Sequence, residues 1–211
     1  MIRCNCSEGQ SEDDPPHRSR QRRSVTVGKI FNVTGPCIPQ KHYMADISEC
    51  IRQIRKMIDA GAYFTINRAR QYGKTTTLAA LDKALEEDYL VIWLDFQSLG
   101  SASYQNENTF SLAFLQVFIR ELKRRHGNEM PGIRELTAKL QEILNEKDPA
   151  FDLMKLFEQL LEVCGNSARP VVLMIDEVDS ASNNQVFLDF LAQLRNYYLE
   201  RDTKGTAAFQ A

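Results

Sequence analysis

The strongest constraint on the fold of this chain is an apolar run at residues 62–66 that leads through a short loop into Gly73-Lys74-Thr75. A helical pattern with leucines at regular spacing follows directly after Thr75. A buried strand, a turn and a helix therefore meet at Gly-Lys-Thr, where backbone N–H groups face an anion and a lysine reaches its phosphates. The segment predicts an α/β fold with a phosphate-binding P-loop.

The loop departs from the general P-loop pattern at its first position. Arg68 stands where G-x-x-x-x-G-K-[ST] has its first glycine. Gly73, Lys74 and Thr75 still supply the close backbone approach, the mobile cation and the hydroxyl that Mg²⁺ requires. A chance Gly-Lys-Thr where a strand turns into a helix is the alternative, so a second motif has to decide.

The second motif is a continuous apolar run at residues 171–175 that ends in Asp176 and Glu177. Such a run predicts a fully buried parallel strand, and ligands of open α/β sheets bind at the carboxyl ends of their strands. Asp176 is placed to hold Mg²⁺ through its water, and Glu177 to polarise the water that attacks a γ-phosphate. The alternative for each acid is a simple cap on the end of the strand.

With both motifs in place, the chain resembles the AAA-like ATPases of prokaryotes, which belong to the P-loop class with an additional catalytic glutamate. The resemblance spans residues 30 to 200 and is carried by segments 31–37, 42–44, 63–77, 94–97 and 175–179. It implies that an arginine-bearing loop such as residues 67–70 replaces the first glycine, that the ligands are ATP and Mg²⁺, and that residues 31–44 lie near the base.

Motifs and resemblance together predict a nucleotide site. The nucleotide-binding residues are expected to be Arg70, Gln71, Tyr72, Gly73, Lys74, Thr75 and Thr76. Thr75 and Asp176 are the expected metal ligands, and Glu177 and Lys74 the expected catalytic residues. Arg70 and Arg195 are weaker candidates for the donor that stabilises transition-state charge.

The expected fold class is α/β: a three-layer P-loop NTPase sheet with flanking helices, whose C-terminal core strands are missing. Core strands are predicted around residues 62–67, 89–96 and 170–176, with a helical insertion at about 105–165. Residues 1–28 lack hydrophobic periodicity and predict a disordered tail before a domain at 29–211. In the resembled family the next core strand begins about where this sequence stops. Either residues 201–211 begin that strand and the remainder is absent, or the chain is the front fragment of a longer protein.

Helix boundaries follow from capping signals. Asp46 and Glu49 suggest a capping box for a helix that ends at Gly61, and Asp148-Pro149 suggests the start of a helix in the insertion. A last helix is expected from residue 184 to 200.

Composition limits the expected binding partners and the cellular compartment. The 26 basic and 28 acidic residues give a formal charge of −2, so no global field recruits nucleic acid or an anionic membrane. Five cysteines without a regular framework, and no signal peptide, indicate a reduced, cytoplasmic setting. No apolar stretch approaches the roughly 20 residues of a membrane span, so a soluble chain is expected.

Three functions compete on this sequence. The favoured one is an ATPase whose hydrolysis drives a conformational switch in attached effector domains or in a homo-oligomer. A nucleotide-binding module without efficient hydrolysis is the alternative. A small-molecule or nucleotide kinase is disfavoured, because a glutamate after the strand serves water activation and no acceptor-site pattern is present.

Overall fold

The computed structural model describes residues 2–3, 29–31, 38, 41–43, 45–67, 73–126 and 131–211. Its strands are β1 (Ile2–Arg3), β2 (Phe64–Thr65), β3 (Leu90–Asp95) and β4 (Val171–Asp176). Its helices are α1 (Ser48–Asp59), α2 (Lys74–Leu85), α3 (Glu107–His126), α4 (Pro131–Glu146), α5 (Leu153–Asn166) and α6 (Gln185–Lys204). Helices dominate this α/β fold, and its parallel sheet is small.

The sheet that organises the fold is the parallel pair β3 and β4. Leu90 lies opposite Val171, and the register continues until Asp95 lies opposite Asp176. Both strands consist of apolar, mostly branched residues up to their final aspartate, as expected for strands that are covered on both faces. The two acids are therefore brought side by side at the carboxyl edge of the sheet.

Alternation along β3 separates two buried clusters. Leu90, Ile92 and Leu94 pack into one cluster with residues of α3 to α6. Val91 belongs to the other cluster, which is built mainly from α1 and α2. Because successive side chains of a strand point to opposite faces, helices cover both sides of the β3–β4 pair.

The segment between β3 and β4 contains the helical insertion expected at about 105–165, and it forms α3, α4 and α5. A cluster of phenylalanines fills the space between these helices, α6 and the sheet, and each ring is less than 2% exposed. We call it the phenylalanine core, and its members are Phe96, Phe110, Phe114, Phe118, Phe157, Phe187 and Phe190. It supplies most of the large aromatic side chains that the described residues bury.

Two expected helix starts are wrong. The Asp46 carboxylate accepts a hydrogen bond from Ser48 N, but Glu49 contacts Arg52 and Gln53, so the capping box does not form. The last helical residue of α1 is Asp59, and Gly61, whose φ of +67° is left-handed, follows the C-cap Ala60 and turns the chain away close to the expected end.

The second wrong start is that of α5. This helix begins four residues after Pro149, and Asp152 is its cap because its carboxylate accepts from Lys155 N at 3.0 Å. Asp148 instead accepts from Ala150 N in a local turn.

The C-terminal residues lie against β4 on the side away from β3. Gln210 N donates to Val171 O at 2.7 Å, and Leu173 N donates to Ala211 O at 3.0 Å. Residues 201–204, which the sequence offered as a possible strand, belong to α6 instead. The Arg201 guanidinium fixes this arrangement by donating to the carbonyls of residues 61, 209 and 210.

Several predicted segments fall largely outside the described residues. In the expected tail, Ile2 and Arg3 pair with β2, while residues 4–28 lie outside the description. Of segment 31–44, residues 32–37, 39–40 and 44 lie outside it; Ile30 and His42 form an isolated bridge. None of the described helices combines the length and apolar character needed to cross a bilayer.

Candidate functional site

Gly73 marks the start of α2 at the carboxyl edge of the sheet. Its φ of +70° is left-handed, and its carbonyl accepts the first intrahelical hydrogen bond, from Thr77 N at 2.8 Å. Among the described residues, a Cβ at residue 73 would meet Thr76 Cβ at 3.9 Å, and the left-handed φ by itself favours glycine here. The N–H groups that precede this first bond form the positive end of the helix.

Thr75 and Asp176 connect α2 to β4. Thr75 Oγ1 donates to Asp176 Oδ2 at a long 3.4 Å, although the two residues are 101 positions apart in the chain. Asp176 is only 9% exposed, and its Oδ1 accepts from Glu177 N at 2.9 Å. The structure thus brings a hydroxyl and a buried carboxylate together, as the sequence predicts for these two residues.

Glu177 turns the chain away from the sheet. Its φ of 57° and ψ of 35° lie in the left-handed region, which costs a residue with a Cβ about 1–2 kcal/mol. The chain passes directly from this residue into a 3₁₀ turn, Val178–Ser180. Backbone strain of this kind persists where the surroundings enforce it, often at functional sites.

Lys74 extends toward this turn. Its Nζ lies 3.7 Å from Asp179 Oδ2, with the lysine side chain 28% exposed and the aspartate side chain 85% exposed. The sequence motifs assign no separate role to Asp179. Its position depends on the left-handed Glu177, which no sequence signal predicts.

A cleft of about 490 Å³ opens beside these residues. Lys74, Asp176, Glu177 and Asp179 all contribute to its lining. The other lining residues are mainly apolar or aromatic and come from β2, α2, β4, α6 and the C-terminal residues. A mostly apolar cleft with a few polar groups is the usual form of a small-molecule site.

The structure describes only some of the remaining predicted site residues. Arg70, Gln71 and Tyr72 lie outside the described residues, and Thr76 lies half-buried in the first turn of α2. Arg195 is exposed on α6 and does not line the cleft. Its charge acts instead on Tyr63, whose pKa is raised by burial and lowered, to a lesser extent, by Arg195.

Asp95 has a local structural contact. Although it lies opposite Asp176 in the sheet, its Oδ1 accepts from Gln97 N and caps the short turn Phe96–Ser98.

The donor set fits a magnesium ion bound together with phosphates. Within the described ranges, no group of three or more His, Cys, Asp or Glu residues forms a metal cluster. Mg²⁺ is commonly held by one or two protein oxygens plus substrate phosphates, and the Thr75 hydroxyl beside the Asp176 carboxylate suits that mode.

Comparison with families of known proteins matches the AAA-like domain over residues 40–210. The chain belongs to the AAA-like domain family. The match covers most of the chain, from the residues before α1 to those that follow α6. Searches of the curated proteins and of the solved structures gave no match. Membership indicates a nucleotide-binding module of the ATPase type.

Proposed function

We propose that this AAA-like domain is a P-loop ATPase that binds ATP with Mg²⁺ and hydrolyses the β–γ phosphoanhydride bond. The observation that carries the proposal is the contact between Thr75 Oγ1 and Asp176 Oδ2 at 3.4 Å. It joins the hydroxyl of one predicted motif to the carboxylate of the other. In the proposed three-layer P-loop fold, both motifs lie at the carboxyl edge of the sheet.

Phosphate binding is the first proposed role. The positive end of α2 and the left-handed Gly73 offer backbone N–H groups to an anion, with residues 70–72 as the preceding part of the loop. Lys74 adds a mobile cation that is 28% exposed, so it can reach a β- or γ-phosphate. The chain's overall charge of −2 makes such local recognition necessary.

Metal binding is the second role, assigned to Thr75 and Asp176. Glu177 N donates to Asp176 Oδ1, which fixes the carboxylate and leaves Oδ2 directed to the threonine hydroxyl. When bound, the ion would neutralise charge that develops on the phosphates. The chain's own contribution is a carboxylate that is oriented before the ligand arrives.

Water activation is the role proposed for Glu177. The side chain is exposed at the carboxyl edge, next to Asp176, and lines the cleft. Its carboxylate would accept the proton of the attacking water. General-base catalysis of this kind typically raises the rate about 10²–10⁴-fold. The hydrolysis would then drive a conformational switch in attached domains or in an oligomer of this cytoplasmic protein.

A nucleotide-binding module without efficient turnover is the second candidate. The described lining of the cleft contains Lys74 but no arginine, and Arg195 lies elsewhere on α6. Finger-type arginines are worth about 10³–10⁵-fold in rate in related systems. Hydrolysis by the chain alone would therefore be slow unless Arg70 of the loop supplies such a donor.

Steady-state phosphate release separates the two candidates. The parent should show Mg²⁺-dependent release, and Glu177→Gln should lower it about 10²-fold or more, because the proton acceptor is lost. Glu87→Gln, which removes an exposed acid after α2, is the matched control and should keep the parent rate. Equal rates in the parent and Glu177→Gln would contradict a role for Glu177. Retained Mg²⁺-ATP binding without release in either protein would support the module.

A further inference from the structure

We propose that Asp179 is a placeholder for phosphate: in the nucleotide-free protein it pairs with Lys74, and an incoming nucleotide must displace it. The inference rests on the proposed ATP site and adds a device that sets its affinity. Asp179 thereby holds the lysine in place while it competes with the ligand for the same cation.

The geometry distinguishes Asp179 from the metal-site aspartate. Both oxygens of Asp176 have partners, since Oδ1 accepts from Glu177 N and Oδ2 from Thr75 Oγ1. Lys74 Nζ makes its ion pair with Asp179 Oδ2 instead, at 3.7 Å. The lysine that would neutralise phosphate is thus occupied by a carboxylate from a different segment.

The position of Asp179 is set by the fold and not by the ion pair. The left-handed Glu177 directs the chain into the turn, and Ala181, which is fully buried, anchors the far side of that turn. Ser182 Oγ donates to Asp179 O at 2.9 Å, and Ala181 N donates to Val178 O at 3.1 Å. The backbone of Asp179 therefore stays near Lys74 when the ion pair opens.

The exposure of the Asp179 side chain sets the expected change in nucleotide affinity. Asp179 is 85% exposed, and exposed ion pairs contribute little because water and salt screen them. Removal of the carboxylate should tighten nucleotide binding about two- to five-fold, which corresponds to breaking one exposed pair. Repulsion between Asp179 and bound phosphates acts in the same direction.

The effect should depend on the phosphates of the ligand. A P-loop lysine reaches the β- and γ-phosphates, so ATP and ADP compete with Asp179 whereas AMP does not. Charge removal at Asp179 should therefore tighten ATP and ADP binding and leave AMP binding unchanged. A merely structural change in the turn would not discriminate between these ligands in that way.

Calorimetric titration with ATP, ADP and AMP tests the proposal, using the parent, Asp179→Asn and Asp179→Ala. Titrations in EDTA keep metal binding out of the comparison. Both variants should bind ATP and ADP about two- to five-fold more tightly at low salt, and the difference should shrink as NaCl is raised. Glu200→Gln, which removes the same charge from an ion pair with Lys204 on α6, should match the parent.

Unchanged or weaker ATP binding in Asp179→Asn, with parent binding intact, would overturn the placeholder and leave the ATP site standing. A parent that binds neither ATP nor ADP, in EDTA or with Mg²⁺, would overturn both. Equal tightening of AMP would also contradict the proposal, because the gain would not then come from competition for Lys74.

Discussion

The phenylalanine core and the polar edge, by which we mean residues 73–75 and 176–179, are built in opposite ways. In the core, the Phe190 ring lies 4.8 Å from the Phe114 ring and 5.4 Å from the rings of Phe110 and Phe157, centroid to centroid. At the edge, most side chains are polar, Glu177 and Asp179 are exposed, and Glu177 has a left-handed backbone although it is not glycine. Stability is concentrated in the first region, and the groups suited to chemistry lie in the second.

The difference shows how a small sheet can support a strained edge. The core packs on one face of β3 and β4, so it fixes the strands whose carboxyl ends carry Asp95 and Asp176. The strained backbone of Glu177 lies between β4, which the core covers, and the turn Val178–Ser180. Substitutions in the core should therefore change folding, and those at the edge should change ligand binding.

Phe190→Ala should have the largest effect on stability. Truncation of a fully buried phenylalanine leaves a cavity among four neighbouring rings and typically costs about 3–5 kcal/mol of unfolding free energy. Urea unfolding of the variant beside Leu188→Ala measures it, because Leu188 is 46% exposed on the same helix. Leu188→Ala should stay within about 0.5 kcal/mol of the parent. A small loss in Phe190→Ala would contradict the assignment of stability to the core.

Arg201→Met should have the next largest effect. The change removes donors from the carbonyls of Gly61, Phe209 and Gln210, and unsatisfied buried acceptors cost about 1–3 kcal/mol. Lys204→Met is the matched control, since Lys204 lies one turn away with its side chain 64% exposed and paired with Glu200. Chemical denaturation should show a loss of about 2 kcal/mol for Arg201→Met and almost none for the control. Equal losses would show that the guanidinium contacts add little.

At Glu177 one substitution should be less harmful than another, because the backbone there is left-handed. Glycine tolerates a left-handed φ better than alanine does, so Glu177→Gly should be more stable than Glu177→Ala by about 0.5–1 kcal/mol after the entropy of the unfolded chain is included. Lys147, with a φ of 50° after α4, provides a second pair of variants away from the site. Thermal unfolding should show the same order for both pairs. A less stable Glu177→Gly would mean that the backbone at the edge is not strained.

The sheet was predictable where the sequence is continuously apolar. Strands β3 and β4 were expected within one residue of their observed bounds, because a strand buried on both faces leaves an unbroken apolar run. For β2 the expected strand at 62–67 shortens to Phe64–Thr65. The start of α5 was missed because Asp148 and Asp152 can both cap a helix. A tertiary contact distinguishes them: Asn108 Nδ2 donates to the carbonyls of Asp148 and Phe151 and holds that turn outside the helix.

The site was predictable in part. Thr75 and Asp176 were expected at the carboxyl edge of one parallel sheet. Their side chains do lie 3.4 Å apart, although among the described strands β2 pairs with β1 and not with β3 or β4. The pair between Lys74 and Asp179 could not be foreseen, since it depends on a left-handed glutamate that local propensity disfavours. Residues 68–72 lie outside the described residues, so their part in the loop stays a prediction.

Thermal unfolding with and without Mg²⁺-ATP tests the central claim, that the polar edge is a nucleotide site. Ligand at about 100 times its Kd should stabilise the parent by about 2.7 kcal/mol. Lys74→Ala should lose that gain while its unliganded transition stays close to the parent's, and Lys83→Ala, an exposed lysine on the same helix, should keep it. A cooperative transition that Mg²⁺-ATP does not raise in the parent, or raises equally in Lys74→Ala, would contradict the account.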